Sequence, residues 1–179
     1  MQHWFIVSAV GRDRPGLVAD LAQLIYDCDA NLEDSRMAIL GTDFAVILLG
    51  SAPEGEVAHR VAVGAKRLER DHGMTILVRS LEGEPRPSVP APHARLYRVE
   101  AAGEDRAGIV ASLCRVLADR GVNVAELSTR SRPGPGGSPH YEMTLLAEVP
   151  EGVDTRELRQ ALADEGDRLV IDVSLMPAP

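Results

Sequence analysis

Gly11-Arg12-Asp13-Arg14-Pro15-Gly16-Leu17-Val18 decides the fold, because the chain returns to it as Gly103-Glu104-Asp105-Arg106-Ala107-Gly108-Ile109-Val110, an offset of 92 from residue 11 to residue 103. The flanks repeat as well. A short apolar run precedes each copy. Leu17, Leu21, Leu24 and Ile25 after the first copy correspond to Ile109, Leu113, Val116 and Leu117 after the second, one helical face at i, i+4, i+7 and i+8. Asn31 has its counterpart in Asn123 at the same offset. A unit of about half the chain occurring twice reads as a duplicated domain, since solenoids need shorter units in greater number.

Each copy reads as a strand ending in a glycine-containing turn that opens a helix, with Pro15 where a first helical turn tolerates a missing N–H. Such a turn leaves free N–H groups at a helix N-terminus, which favours a carboxylate or phosphate. Gly16 and Gly108 let a ligand or a neighbouring chain approach the backbone, and Asp13 and Asp105 add an acceptor. Donors for an anion beside an acceptor for a cation suit a zwitterion such as a free amino acid. The competing reading is an ordinary strand-to-helix turn with Asp as the N-cap.

The bulk properties bound the answer. At 179 residues the chain holds two domains of about ninety residues each. With 45% hydrophobic and 26% charged residues it has the composition of a soluble globular protein. The net charge of −8, without a run of Lys or Arg, argues against a protein that grips phosphate backbones. Cys28 and Cys114 stand alone, outside any C-x-x-C pair, so packed thiols in a reducing compartment are expected. The N-terminus lacks the pattern of a signal peptide, and no segment reaches the ~18 apolar residues of a membrane span. A cytoplasmic protein is expected.

Taken in order, residues 3–10 read as a strand and 15–29 as an amphipathic helix. Residues 33–40 and 44–49 form a hairpin, 54–72 a second helix with Gly73 as its C-cap, and 74–81 a fourth strand. Residues 82–93, with four prolines, suit neither a helix interior nor a central strand and read as a linker. The second unit retraces the first: a strand at 96–102, a helix at 107–120 capped by Gly121, and hairpin strands at 124–132 and 141–149. A helix capped by Asp154 with Glu157 and a last strand at 169–175 complete it. The hairpin connection 133–139, rich in Pro and Gly, is an exposed loop. The fold class is therefore α+β: two ferredoxin-like βαββαβ domains, at 1–81 and 94–176, each a four-stranded antiparallel sheet with two helices on one face.

With Asp-Arg-Pro-Gly after the first strand and Asn after the first helix, each unit resembles an ACT domain, and the tandem layout is similar to the glycine cleavage system transcriptional repressor family. The resemblance implies a non-catalytic regulator that senses a small ligand, usually an amino acid, often across an interface between two ACT units. It implies action through a protein partner such as a transcription factor, and homo-oligomers or intramolecular pairing of the units. Carried over by position, the site residues are Asp13, Arg14, Pro15, Gly16, Leu17 and Asn31, and in the second unit Asp105, Arg106, Gly108, Ile109 and Asn123. Ala107 departs from the usual Pro and predicts a less preorganised second loop. Asn31 and Asn123 have a purely structural alternative, as left-handed residues that end a helix.

Three other functions compete with ligand sensing. An acylphosphatase-like hydrolase could use Arg12, Arg14 and Asn31, but Asp13 would repel phosphate, and His3, His59, His72, His93 and His140 lack metal-ligand spacing. No cofactor or metal is expected. Direct nucleic-acid binding on the sheet needs stacking aromatics, and aromatics are only 3% of the chain. A ligand-independent assembly module, joined through exposed sheet edges, stays open beside ligand sensing.

Overall fold

The computed structural model describes residues 2–53, 55–85, 93–134 and 138–178. Most of the expected linker, and residues 135–137 of the second hairpin loop, lie outside the described residues. The chain divides into two units, Met1–Pro87 and Ser88–Pro179. The first runs β1 (His3–Arg12), α1 (Leu17–Tyr26), β2 (Asn31–Leu40), β3 (Asp43–Ala52), α2 (Val57–His72) and β4 (Thr75–Leu81). The second runs β5 (Ala94–Glu104), α3 (Ile109–Ala118), β6 (Asn123–Pro133), β7 (Pro139–Pro150), α4 (Thr155–Leu169) and β8 (Ile171–Pro177). Both sheets are four-stranded, in the order β2-β3-β1-β4 and β6-β7-β5-β8, and the order of elements is that read from the sequence.

Alternation makes the cores. Phe5, Val7 and Ala9 of β1 and Val46 and Leu48 of β3 point to one face of the first sheet. Leu17, Leu21 and Ile25 of α1 and Val57, Val61 and Ala65 of α2 close on that face. The second unit repeats this with Val99, Leu145, Ile109, Leu113, Leu117, Leu158 and Leu162. The outer strands β2 and β6 lie at the sheet edges and are exposed along almost their whole length. The alternation read for residues 33–40 is real, but neither face of that strand is covered.

Several boundaries differ from the sequence reading. Both first helices start two residues late, at Leu17 and Ile109, because Gly16 (φ 95°, ψ −11°) and Gly108 (φ 96°, ψ −3°) adopt left-handed geometry. These are the angles of the third residue of a type II turn, for which the preceding Pro15 is suited. Pro15 thus shapes the turn before the helix rather than the helix itself. Both helices also stop early. Ala30 N–H reaches Ile25 O at 3.3 Å and Asp29 N–H reaches Tyr26 O at 3.0 Å; Val122 and Gly121 make the same pair of bonds to Leu117 and Ala118. The left-handed residues of these closures are Asp29 and Gly121, so Asn31 and Asn123 do not end a helix. They open β2 and β6. Leu169, expected in the last strand, is the final residue of α4, and left-handed Val170 turns the chain into β8.

Two caps stand as read. Gly73 N–H bonds Glu69 O at 2.8 Å in left-handed geometry. The Asp154 carboxylate accepts from the N–H groups of Arg156 at 2.7 Å and Glu157 at 3.3 Å. Asp154→Ala should therefore cost about 1 kcal/mol of stability, measurable as a lower urea midpoint with an unchanged m-value. An unchanged midpoint would show the cap to be dispensable.

Candidate ligand site

The two loops share one backbone and differ in their side chains. In each, the N-cap is the left-handed glycine and no side chain caps the helix. Asp13 and Asp105 are therefore not N-caps, which corrects that part of the competing reading; a type II turn leading into a helix is what remains of it. The first intrahelical bonds are Asp20 N–H to Gly16 O and Ser112 N–H to Gly108 O, both 2.9 Å. The N–H groups of the first turn ahead of them have no partner within the helix. Ala107 does not alter this: Gly108 keeps the geometry of Gly16 without a preceding proline.

Each loop is tied to the neighbouring hairpin. Asp13 N–H donates to Thr42 O at 2.8 Å, and Asp105 N–H to Pro139 O at 3.0 Å. The side chains then diverge. Asp13 is exposed, and its carboxylate has no hydrogen bond among the described residues, whereas Asp105 accepts the Ser131 hydroxyl at 2.6 Å. At the position of Ser131 the first unit has Ile39, 92 residues earlier, which has no hydroxyl to give. Only the first carboxylate is thus unengaged.

Arg14 folds back over the helix start. Its Nη2 bonds Asp20 Oδ2 at 2.6 Å and its Nη1 bonds Pro15 O at 3.1 Å, while its Nε, shielded from solvent, has no partner among the described residues. His72 Nε2 lies 3.6 Å from the same Asp20 oxygen. Arg106 instead turns to Glu104 at 2.8 Å, and Ser112, in place of Asp20, accepts from Arg168 at 3.1 Å. The sequence pattern does not single out Thr42 or Ser131; for Asp20 the signal is an acid three residues into a helix opened by Arg-Pro-Gly.

The two asparagines are not part of either loop. Arg12, beside Asp13, pairs with Asp43, whereas Asn31 pairs with Ser51, itself paired with Trp4. Eight residues of β1 separate the two levels, ~27 Å along the strand. Asn123 likewise sits opposite Glu148, whose Oε2 its Nδ2 reaches at 3.0 Å, far from Asp105. Within one unit the structure brings together Asp13 through Leu17, or Asp105 through Ile109, but not the asparagine.

Burial pushes the Cys28 and Cys114 thiols above their ordinary range, so neither is set up as a thiolate nucleophile. No group of His, Cys, Asp or Glu among the described residues could hold a metal ion. No helix among them is long and apolar enough to cross a membrane.

ACT-domain family models match residues 3–79 and 97–167, and the chain belongs to that family as a tandem ACT-domain protein. It is 28% identical over 162 residues to the glycine cleavage system transcriptional repressor of Escherichia coli (strain K12), covering 89% of this chain and 82% of that protein. An "unknown protein" of Galdieria sulphuraria is 31% identical in its solved structure and superposes over the whole of both chains with a TM-score of 0.80. A further solved chain, 22% identical over 98% of this chain and 96% of its own, shares the fold at a TM-score of 0.71.

Proposed function

We propose that this protein is a non-catalytic regulator that binds a free amino acid at the loop following the first strand of an ACT unit, and that it acts on a protein partner in the transcriptional control of amino-acid metabolism, glycine metabolism in particular. The observation that carries the reading is the pairing of an uncapped helix N-terminus, opened by left-handed Gly16, with the unengaged carboxylate of Asp13. The helix N–H groups receive the carboxylate of the amino acid, and Asp13 receives its ammonium. The relative named as a glycine cleavage system transcriptional repressor supports the regulatory part.

In this reading residues 82–93 link the two units, and the setting is cytoplasmic. Asn31 and Asn123 lie ~27 Å from the loop of their own unit, so neither belongs to the site proposed at that loop. The hydrolase reading is disfavoured because, of the Arg12, Arg14 and Asn31 it would use, Arg14 is engaged by Asp20 and Asn31 lies at the opposite end of the sheet.

A thermal-shift screen of the common amino acids tests the proposal. The cognate one at 100 times its dissociation constant should stabilise the protein by ~2.7 kcal/mol. A flat response across the whole panel would leave the protein a ligand-independent assembly module.

A further inference from the structure

The two units share a fold but not a surface. On the face of the first sheet away from its helices, the central strands β1 and β3 present Trp4, Ile6, Val10, Ala45, Ile47 and Leu49, with Ser8 among them; charge enters these two strands at one end, where Arg12 stands opposite Asp43. β4 adds Leu77 beside Ser8. Val10 is 53% exposed, Ile47 55% and Leu77 65%. The other charges on this face stand on the edge strands: Arg36, paired with Asp34 at 3.0 Å, and Arg79.

The second unit is the internal control. Val7 pairs with Leu48 and Val78, and Val99 pairs with Leu145 and Leu175, so the two registers superimpose position by position. Where the first face has Ile6, Ser8 and Ala45, the second has Arg98, Glu100 and Glu142; where the first has Ile47 and Leu77, the second has Thr144 and Ser174. Arg98 and Glu100 are 4.0 Å apart, and Arg132 and Glu142 3.9 Å, a face suited to water.

We infer that the open face of the first sheet is covered by the same face of a second copy of this chain, in a two-fold, sheet-on-sheet dimer. Four strands ~4.8 Å apart and about seven residues long present roughly 450 Å² in projection, over half of the ~800 Å² per partner of a standard interface. A two-fold contact opposes a surface to itself. Here the uncharged middle of the central strands meets its own copy without repulsion, the Arg12 and Asp43 pair lying at one end, and the two layers stack ~10 Å apart. A surface selecting a foreign protein would carry charges across its middle to steer and discriminate, whereas the central strands here are charged only at the end where Arg12 faces Asp43, and the second unit's own face is too polar to serve as the cover. The chain's net charge of −8 opposes pairing of copies, so added salt should strengthen this dimer, the reverse of an interface held by ion pairs. The contact uses a face, and leaves the loop and helix start of the proposed ligand site free.

Sedimentation velocity of the full chain from ~1 to ~100 µM is the test, over a range that brackets micromolar association. The parent should sediment as a dimer, more completely at higher salt. The triple variant Ile6→Arg, Ile47→Thr, Leu77→Ser, which installs residues the second unit already carries in the same fold, should be monomeric with unchanged far-UV circular dichroism. Ile47→Thr alone should weaken association at least about tenfold, the range of a centrally placed contact. Val18→Ser with Val63→Ser, exposed helix positions, should leave the dimer intact. A parent monomeric at ~100 µM, a folded triple variant as dimeric as the parent, or a parent that pairs only with a different protein would each overturn the inference.

Discussion

Gly50→Ala is expected to destabilise the first unit by about 1–3 kcal/mol, the cost of forcing a methyl group into a packed core. Gly50 stands directly across from Phe5 in the β1–β3 register. A Cβ at Gly50 would lie 2.3 Å from Phe5 Cζ, with the rest of the ring edge inside 3 Å. Phe5 is fully buried at the centre of the core, so its ring cannot swing aside without displacing its neighbours. A two-residue repacking, Gly50→Ala with Phe5→Leu, should recover part of the loss, because the shorter side chain vacates the space the methyl needs. Thermal or urea unfolding of the three proteins measures this. A Gly50→Ala protein as stable as the parent would mean that the ring does not lie over Gly50.

That contact shows which part of the structure could be read in advance. The 92-residue repeat and the i, i+4, i+7 spacing of Leu17, Leu21, Leu24 and Ile25 are local signals, and they carried the order of elements, the two-unit division and most of the core. The role of Gly50 depends on Phe5, 45 residues away, and therefore on register, which a sequence pattern does not contain. The same holds for Asn31. Its offset from Asp13 matches that of Asn123 from Asp105, and the repeat made the two residues look like one constellation. Each asparagine opens a strand parallel to the one that ends in its loop, so the intervening helix carries it to the opposite end of the sheet. Pro15 was misplaced for a local reason: a proline before a glycine serves a type II turn as well as a first helical turn, and only the φ of Gly16 separates them. The contrast between the open faces was legible residue by residue, but it needed the β4 and β8 registers before Leu77 could be set against Ser174.

Asp13→Ala should lower the affinity for the amino acid by roughly ten- to a hundredfold, the ~1.5–3 kcal/mol typical of a lost charge-assisted contact. Stability should scarcely change, since the Asp13 carboxylate is exposed and no side chain holds it. Asp105→Ala should cost less binding, because Asp105 must already share its carboxylate with the Ser131 hydroxyl. Gly16→Val should abolish binding and also destabilise the protein by about 1–3 kcal/mol, since a branched residue is strained at the φ of 95° that the turn requires. There is room for the side chain: a Cβ would meet only Arg14 Nη1, at 3.7 Å. The loss would therefore come from reshaping the turn that aims the N–H groups. Calorimetry on folded variants distinguishes the three. Equal binding by the parent and Asp13→Ala would remove Asp13 from the site.

If the backbone at the start of α1 receives the carboxylate of an amino acid, amide chemical shifts report it directly. Titrating the common amino acids into the isotope-labelled full chain should, for one of them, shift the N–H signals of Gly16, Leu17, Val18 and Ala19 saturably. The same amino acid should leave those signals far less perturbed in Asp13→Ala. An amino acid that binds while these four signals stay fixed would place the site elsewhere and contradict the account.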